Sequence, residues 1–187
     1  MINFVEFCHT ISPLNSEEKE ELAAILTHTQ KQKGASILRS NAYCKDLFFI
    51  TKGVAKLGFQ NNGKEFIMRF FEEGILFTEL ESLIKRQPSK YEVTALEAVE
   101  LTIIPFYKFE ALCHKHHKLE TFFRKFLSLA HLNMMGRISE ILEEDAKTRY
   151  LNFLNSNPGL MQRISLGDLA NYLGITQVSL SRIRAEI

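Results

Sequence analysis

Residues 164–184, ISLGDLANYLGITQVSLSRIR, read as two short helices joined by a tight turn, and no other stretch of the chain limits the possible folds so strongly. Ser165 is placed to cap a first helix, with Asp168 in the reciprocal position of a capping box. Leu166, Leu169, Ala170 and Leu173 follow at helical spacing, and Ala170 is small enough to let a second helix approach closely. Gly174 suits the left-handed position that ends a helix, Ile175 plugs the corner, and Thr176 caps the next helix. In that helix Leu180, Ile183 and Ile187 point inward, while Gln177, Val178, Ser181, Arg182 and Ala185 share the outer face. An arginine, an amide, a hydroxyl and a small apolar group are what a DNA major groove accepts. The segment is therefore predicted to be a helix-turn-helix; the plainer alternative is a helical hairpin packed into a core.

Charge supports the first reading once it is divided along the chain. The formal net charge is only +1, but residues 147–187 carry five cations (Lys147, Arg149, Arg163, Arg182, Arg184) against Asp168 and Glu186, which leaves the remainder net negative. A basic excess at the helix-turn-helix end is what binding to phosphates requires. Hydrophobic content of 45% and charged content of 24% are those of a globular protein without a large disordered segment. The N-terminus carries Glu6 and His9 among apolar residues, with no basic leader and no long apolar run. Neither a signal peptide nor a membrane span is expected. Cys8, Cys44 and Cys113 are odd in number and widely spaced, which suits free thiols in a reducing cytoplasm and is too few for an all-cysteine iron–sulfur site.

Upstream, the period changes twice. Asn15 and Glu18 form a capping-box pair opening a helix with Leu22, Ile25 and Leu26 as its apolar stripe. Short strands are predicted over residues 36–39, 47–52, 54–60, 64–71, 92–96 and 99–104, with sharp turns at Lys52-Gly53 and Asn62-Gly63. Many short strands at regular spacing argue for an antiparallel barrel or roll. After Pro105 the period becomes helical, and residues 119–142 carry two stripes: Phe123, Leu127, Ala130, Met134, Ile138 and Ile141, and Leu119, Phe122, Phe126 and Leu129. One buried face needs one stripe, so two imply two partners, the chain's own roll and the same helix of a second copy; the alternative is a central helix of a monomeric core. A shorter helix with Tyr150, Leu151 and Leu154 ends before the breaker Asn157-Pro158-Gly159. The predicted class is α+β, with an N-terminal antiparallel β-roll (1–116), a long dimerisation helix (117–144) and a C-terminal helix-turn-helix domain (145–187).

That order of elements, with LFFITKG at 47–53, LANYLGIT at 169–176 and LSRI at 180–183, resembles the cyclic-AMP receptor protein/FNR (CRP/FNR) family of bacterial transcription regulators across nearly the whole chain. The resemblance implies a cytoplasmic homodimer that binds double-stranded DNA, with RNA polymerase as a further partner. It assigns the DNA contacts to Thr176, Gln177, Val178, Ser181 and Arg182. The family often has Arg-Glu where this chain has Gln177-Val178, and Val178 offers an apolar contact for a thymine methyl rather than an acceptor for cytosine. The β-wings common in the family are expected to be reduced or absent.

The resemblance thins at the ligand positions, where Glu79, Ser89 and Lys90 are the candidates. Cyclic-nucleotide-binding members place a Gly-Glu pair and then an Arg-Ser or Arg-Thr pair around ribose and phosphate; here the first is Thr78-Glu79, and Pro88-Ser89-Lys90-Tyr91 lacks the arginine. A lysine does not reproduce the bidentate guanidinium fork. No cofactor is expected, and the roll is expected to take another small molecule or none rather than a cyclic nucleotide. His114, His116 and Glu120 have the spacing of a cupin-type metal site, and His117 could add a ligand, but they lie beyond the strands without bracketing glycines and are expected to be a solvated cluster. With no nucleophile–base pair and no phosphate-cradling glycine loop, no enzyme activity is expected. The reading from another class is a small-molecule or metal-binding β-roll that does not bind DNA.

Overall fold

The computed structural model describes residues 3–186, so the inward position assigned to Ile187 lies outside the described residues. Two helices open the chain, α1 (Phe4–Ile11) and α2 (Ser16–Ala24), each capped by an asparagine. Asn15 accepts from the Glu18 backbone N–H while Glu18 accepts from that of Asn15, the full reciprocal box. Helix α1 has no counterpart in the sequence reading. Its eight residues fold because Phe4 and Cys8 are drawn completely into a cluster with Phe49, Phe109 and Phe122, the Phe4 ring lying 5.7 Å from Phe49 and 6.0 Å from Phe122.

Eight strands follow: β1 (Thr27–Lys31), β2 (Ser36–Leu38), β3 (Asp46–Lys52), β4 (Ala55–Asn61), β5 (Lys64–Phe71), β6 (Leu76–Phe77), β7 (Glu92–Ala95) and β8 (Val99–Pro105), with the short helix α3 (Leu80–Lys85) between β6 and β7. They form two antiparallel sheets, β1-β8-β3-β6 and β2-β7-β4-β5. Strand β1 is polar and escaped the sequence reading; it is a strand because it pairs with β8 from Thr27 opposite Ile103 to Lys31 opposite Val99. The Asn62-Gly63 turn joins β4 to β5, with Asn61 opposite Lys64. At the Lys52-Gly53 turn, Gly53 has φ +95°, and a Cβ there would lie 2.5 Å from the Ala98 carbonyl, so no other residue fits.

The roll's interior is filled with side chains. Phe71 stacks on Phe77 at 4.2 Å, and Phe77 on Phe48 at 5.4 Å, among Leu38, Ile50, Ala55, Val93, Ala95 and Leu101. Beyond the roll come α4 (Phe106–Lys115), the long α5 (His117–Glu143), α6 (Ala146–Ser156), a single 3-10 turn (Leu160–Gln162), α7 (Leu166–Leu173) and α8 (Gln177–Ala185). The two stripes of α5 divide along the helix rather than around it. Leu119 and Phe122 are buried and Phe123 and Phe126 pack on the first cluster, whereas Leu129, Met134, Ile138 and Ile141 are exposed. The first half of α5 finishes its own chain's core, and the stripe residues of the second half, Met134, Ile138 and Ile141, are uncovered.

Candidate nucleic-acid interface

Helices α7 and α8 form the helix-turn-helix. Ser165 caps α7, its hydroxyl oxygen accepting from the Asp168 N–H at 3.0 Å. The expected reciprocal half of the box is replaced: one Asp168 carboxylate oxygen accepts from the Ser165 hydroxyl at 2.6 Å, and the other takes the Lys56 ammonium at 2.6 Å. Gly174 ends α7 in the left-handed conformation at φ +72°, donating to the Ala170 carbonyl, and Ile175 is folded against the core beneath. Thr176 caps α8 by accepting from the Ser179 N–H at 3.1 Å.

Burial then separates the two faces of α8. Leu180 is 1% exposed and Ile183 packs beside it, while Thr176, Gln177, Val178, Ser181 and Arg182 all face solvent. Val178 is 63% exposed, a large apolar exposure with no packing partner in its own fold to explain it. The Gln177 amide lies back over α7 so closely that a Cβ at Gly167 would meet its Nε2 at 2.7 Å. Gly167, which the sequence reading did not single out, leaves room for that amide, the far end of a flexible side chain. A glycine inside a helical period is the cue the sequence offered for this packing.

The basic excess of this module is partly spent internally. Arg149 donates to the carbonyls of Glu144 and Leu173, Lys147 pairs with Glu186 at 3.3 Å, and Arg163 is held by Glu73 and Glu97. Arg182 and Arg184 are exposed and carry no ion pair among the described residues. Fewer of the module's cations are therefore free for an anionic partner than the count along the chain suggested, and Arg182 and Arg184 sit on α8.

The module rests on the outer face of β4 and β5. Val54, Ile67 and Phe70 pack with Tyr150, Phe153, Leu169, Ala170 and Leu173 in one cluster, the Phe70 ring 5.3 Å from Tyr172. Lys56 sits between Asp168 and Glu65, the latter at 2.8 Å; burial opposes its charge, but the hydrogen bonds it donates to these carboxylates raise its pKa on balance.

The three ligand candidates are each engaged by the chain itself. Glu79 is buried, and its carboxylate caps α3 by accepting from the N–H groups of Glu81 and Ser82 at 3.2 and 3.0 Å. Ser89 is also buried and bonds both the N–H and the carbonyl of Tyr91. Lys90 is exposed, pairs with Glu81 at 3.7 Å and lies over the Tyr91 ring. Thr78, where a close-approach glycine would stand, gives its hydroxyl proton to the Asp46 carbonyl at 2.9 Å.

The histidine cluster is spread over the junction of α4 and α5. His114 and Glu120 face solvent, and His116 is buried with Nε2 2.9 Å from Glu21. Glu17, Glu21 and His116 lie close enough to hold a cation, but the Lys115 ammonium already pairs with both carboxylates. Burial raises the Cys8 thiol well above its ordinary range and pushes Cys113 up to about 12, so both are protonated and unreactive at neutral pH. All three cysteines are free and buried. No helix of the described residues is long and apolar enough to cross a membrane.

Residues 29–116 match the cyclic nucleotide-binding domain family. Among solved structures, the chain is similar to a transcriptional regulator of the crp/fnr family from Eubacterium rectale, with 18% identity over 91% of this chain and 82% of that one and a TM-score of 0.72. FixK2 from Bradyrhizobium japonicum aligns with 14% identity over 87% and 84% of the two chains at a TM-score of 0.75. The c-di-GMP-responsive regulator CLP of Xanthomonas campestris aligns with 14% identity over 92% and 91% at 0.74. At such identities the likeness is one of fold. No curated protein matches the chain by sequence.

Proposed function

From a chain that has a cyclic nucleotide-binding domain at residues 29–116 and the fold of the CRP/FNR regulators, we propose a cytoplasmic, sequence-specific DNA-binding transcription regulator that acts as a homodimer without cyclic AMP. The observation that carries this reading is the outer face of α8, where Gln177, Val178, Ser181 and Arg182 are displayed to solvent on a correctly capped helix-turn-helix. An unpaired guanidinium, an amide, a hydroxyl and an isopropyl group are a donor, acceptor and apolar set suited to base edges. The exposed second half of α5 supplies the seam for a second copy, which would bring two recognition helices to half-sites roughly one helical turn apart. RNA polymerase is the further partner this role implies, and no catalysis belongs to it.

Cyclic-AMP independence is supported by chemistry at the roll. A cyclic phosphate entering it must exchange hydration for protein donors, yet Glu79 and Ser89 are committed to backbone groups and the interior is filled by the Phe48, Phe77 and Phe71 stack. The test of the whole reading is selection from a random duplex pool followed by titration across ionic strength. Enrichment of a two-half-site sequence, bound with steep salt dependence, is expected. Failure to enrich any sequence would refute it and favour a small-molecule-binding roll.

A further inference from the structure

The chain reaches α7 from α6 through residues 157–164, a stretch with Pro158, Gly159 and a single 3-10 turn, yet the module at its end is not loosely tethered. Arg163, immediately before the capped start of α7, donates through both terminal nitrogens to Glu73, at 2.9 and 2.6 Å, and also to Glu97. Glu73 in turn accepts from the Gly53 N–H at 2.7 Å. One guanidinium thus gathers the β3–β4, β5–β6 and β7–β8 turns at one end of the roll. On the far side of the same contact, Lys56 bridges Glu65 and Asp168, and Asn171 donates to Glu65 at 3.2 Å.

Partly exposed ion pairs contribute little net stability, so the apolar cluster of Phe70, Leu169 and Tyr172 supplies most of the adhesion. Apolar contact is non-directional. What the bidentate arginine adds is direction, because a planar fork on a carboxylate fixes angle as well as distance. The docked surface is α7, and the reading face of α8 points away from it, so docking orients that face without covering it.

We propose that Arg163, clamped by Glu73 and Glu97, is a positioning residue for operator binding: it fixes the direction in which α8 leaves the roll, so that two copies present their recognition helices at one spacing. This rests on the DNA-binding reading above. A rigidly oriented pair binds two half-sites as one event, whereas a swivelling pair loses effective concentration for the second.

The duplex enriched by the wild-type protein, and the same duplex with one half-site scrambled, are titrated with wild type, Arg163→Ala, Arg163→Lys and Glu73→Gln. Arg163→Ala and Glu73→Gln should each weaken binding to the intact duplex roughly tenfold while leaving the scrambled one unchanged, and combining them should add little. Arg163→Lys should not restore binding, because an ammonium cannot make the fork. Unchanged affinity for the intact duplex overturns the proposal. Equal losses on both duplexes overturn it too, marking Arg163 as a phosphate contact or a fold element, which a thermal melt separates. If the wild type enriches no sequence, the DNA-binding reading falls and this one with it; enrichment with unaffected variants removes the clamp alone.

Discussion

The Arg137 guanidinium lies over the Tyr172 ring, 4.0 Å from carbon to centroid, and donates to the carbonyl of the same residue. Arg137 belongs to α5 and Tyr172 to α7, so the helix that carries the apolar seam is fastened to the first helix of the reading module. The contact satisfies a carbonyl near the end of α7 and stacks a cation on a mostly buried ring.

Arg137→Ala should lower stability by about 2–4 kcal/mol, the scale of a partly desolvated cation–π contact plus a hydrogen bond from a charged donor. Arg137→Lys should recover only part of it, since the ammonium neither stacks nor forks. Denaturant unfolding with far-UV detection measures both; an unchanged midpoint for Arg137→Ala would make the contact incidental.

Arg182→Ala should weaken binding to the selected duplex by about 1–3 kcal/mol without moving the thermal midpoint, because the side chain is exposed and makes no ion pair among the described residues. Affinity unchanged from wild type on both the selected and a random duplex would strike Arg182 from the interface, and a collapsed melt would make it structural.

Met134→Lys combined with Ile138→Lys should convert a dimer into a monomer. Both residues lie on the exposed half of α5, at 54% and 44% exposure, so the isolated fold tolerates the charges while a self-paired seam would have to bury them. Sedimentation at micromolar protein decides the matter: a wild type already monomeric, or a double variant still dimeric, sinks the seam.

Cyclic AMP and cyclic GMP should give no calorimetric signal and no melting shift at physiological concentrations. Stoichiometric micromolar binding of either would require the aromatic stack to open and Glu79 to leave the α3 cap, and would return the chain to the nucleotide-responsive branch.

Stability should carry a signature of Glu73. The hydrogen bonds from Arg163 hold its carboxyl at about 2, below the ordinary 4.5, so its folded pKa is depressed. A depressed carboxylate contributes stability that is fully present above the unfolded pKa and is lost as pH falls through the folded one. The difference between wild type and Glu73→Gln should therefore stay constant above about pH 5 and shrink between the two values, with modest amplitude because the pair is partly exposed. A difference independent of pH down to about 2 would contradict the ion pair.

Local chemistry explains which parts were legible without coordinates. The Asn15–Glu18 box, the Asn62-Gly63 hairpin and the Ser165, Gly174 and Thr176 punctuation of the reading module each act within a few residues, so their signals lie in short stretches of sequence. Helix α1 and strand β1 were not legible. Helix α1 does carry Phe4, Cys8 and Ile11 at helical spacing, but eight residues are too few to fold alone, and both elements take their form from distant partners, Phe109 and Phe122 for α1 and β8 for β1. The Ser165–Asp168 box was half legible, since a carboxylate at that position can cap or pair and only the presence of Lys56 chose between them.

By itself, the sequence determined the class of most segments and the side chains that α8 offers to solvent, because periodicity and capping are short-range and a helix face follows from spacing alone. Tertiary structure decided what those segments do to one another. It spent Glu79 on a helix cap and Arg163 on a carboxylate clamp, closed the roll with aromatic rings, and uncovered only the second half of α5. Each of these depends on charges and rings distant in sequence meeting in space, and whether a charged side chain serves a ligand or its own fold is settled by which partner reaches it within hydrogen-bond distance.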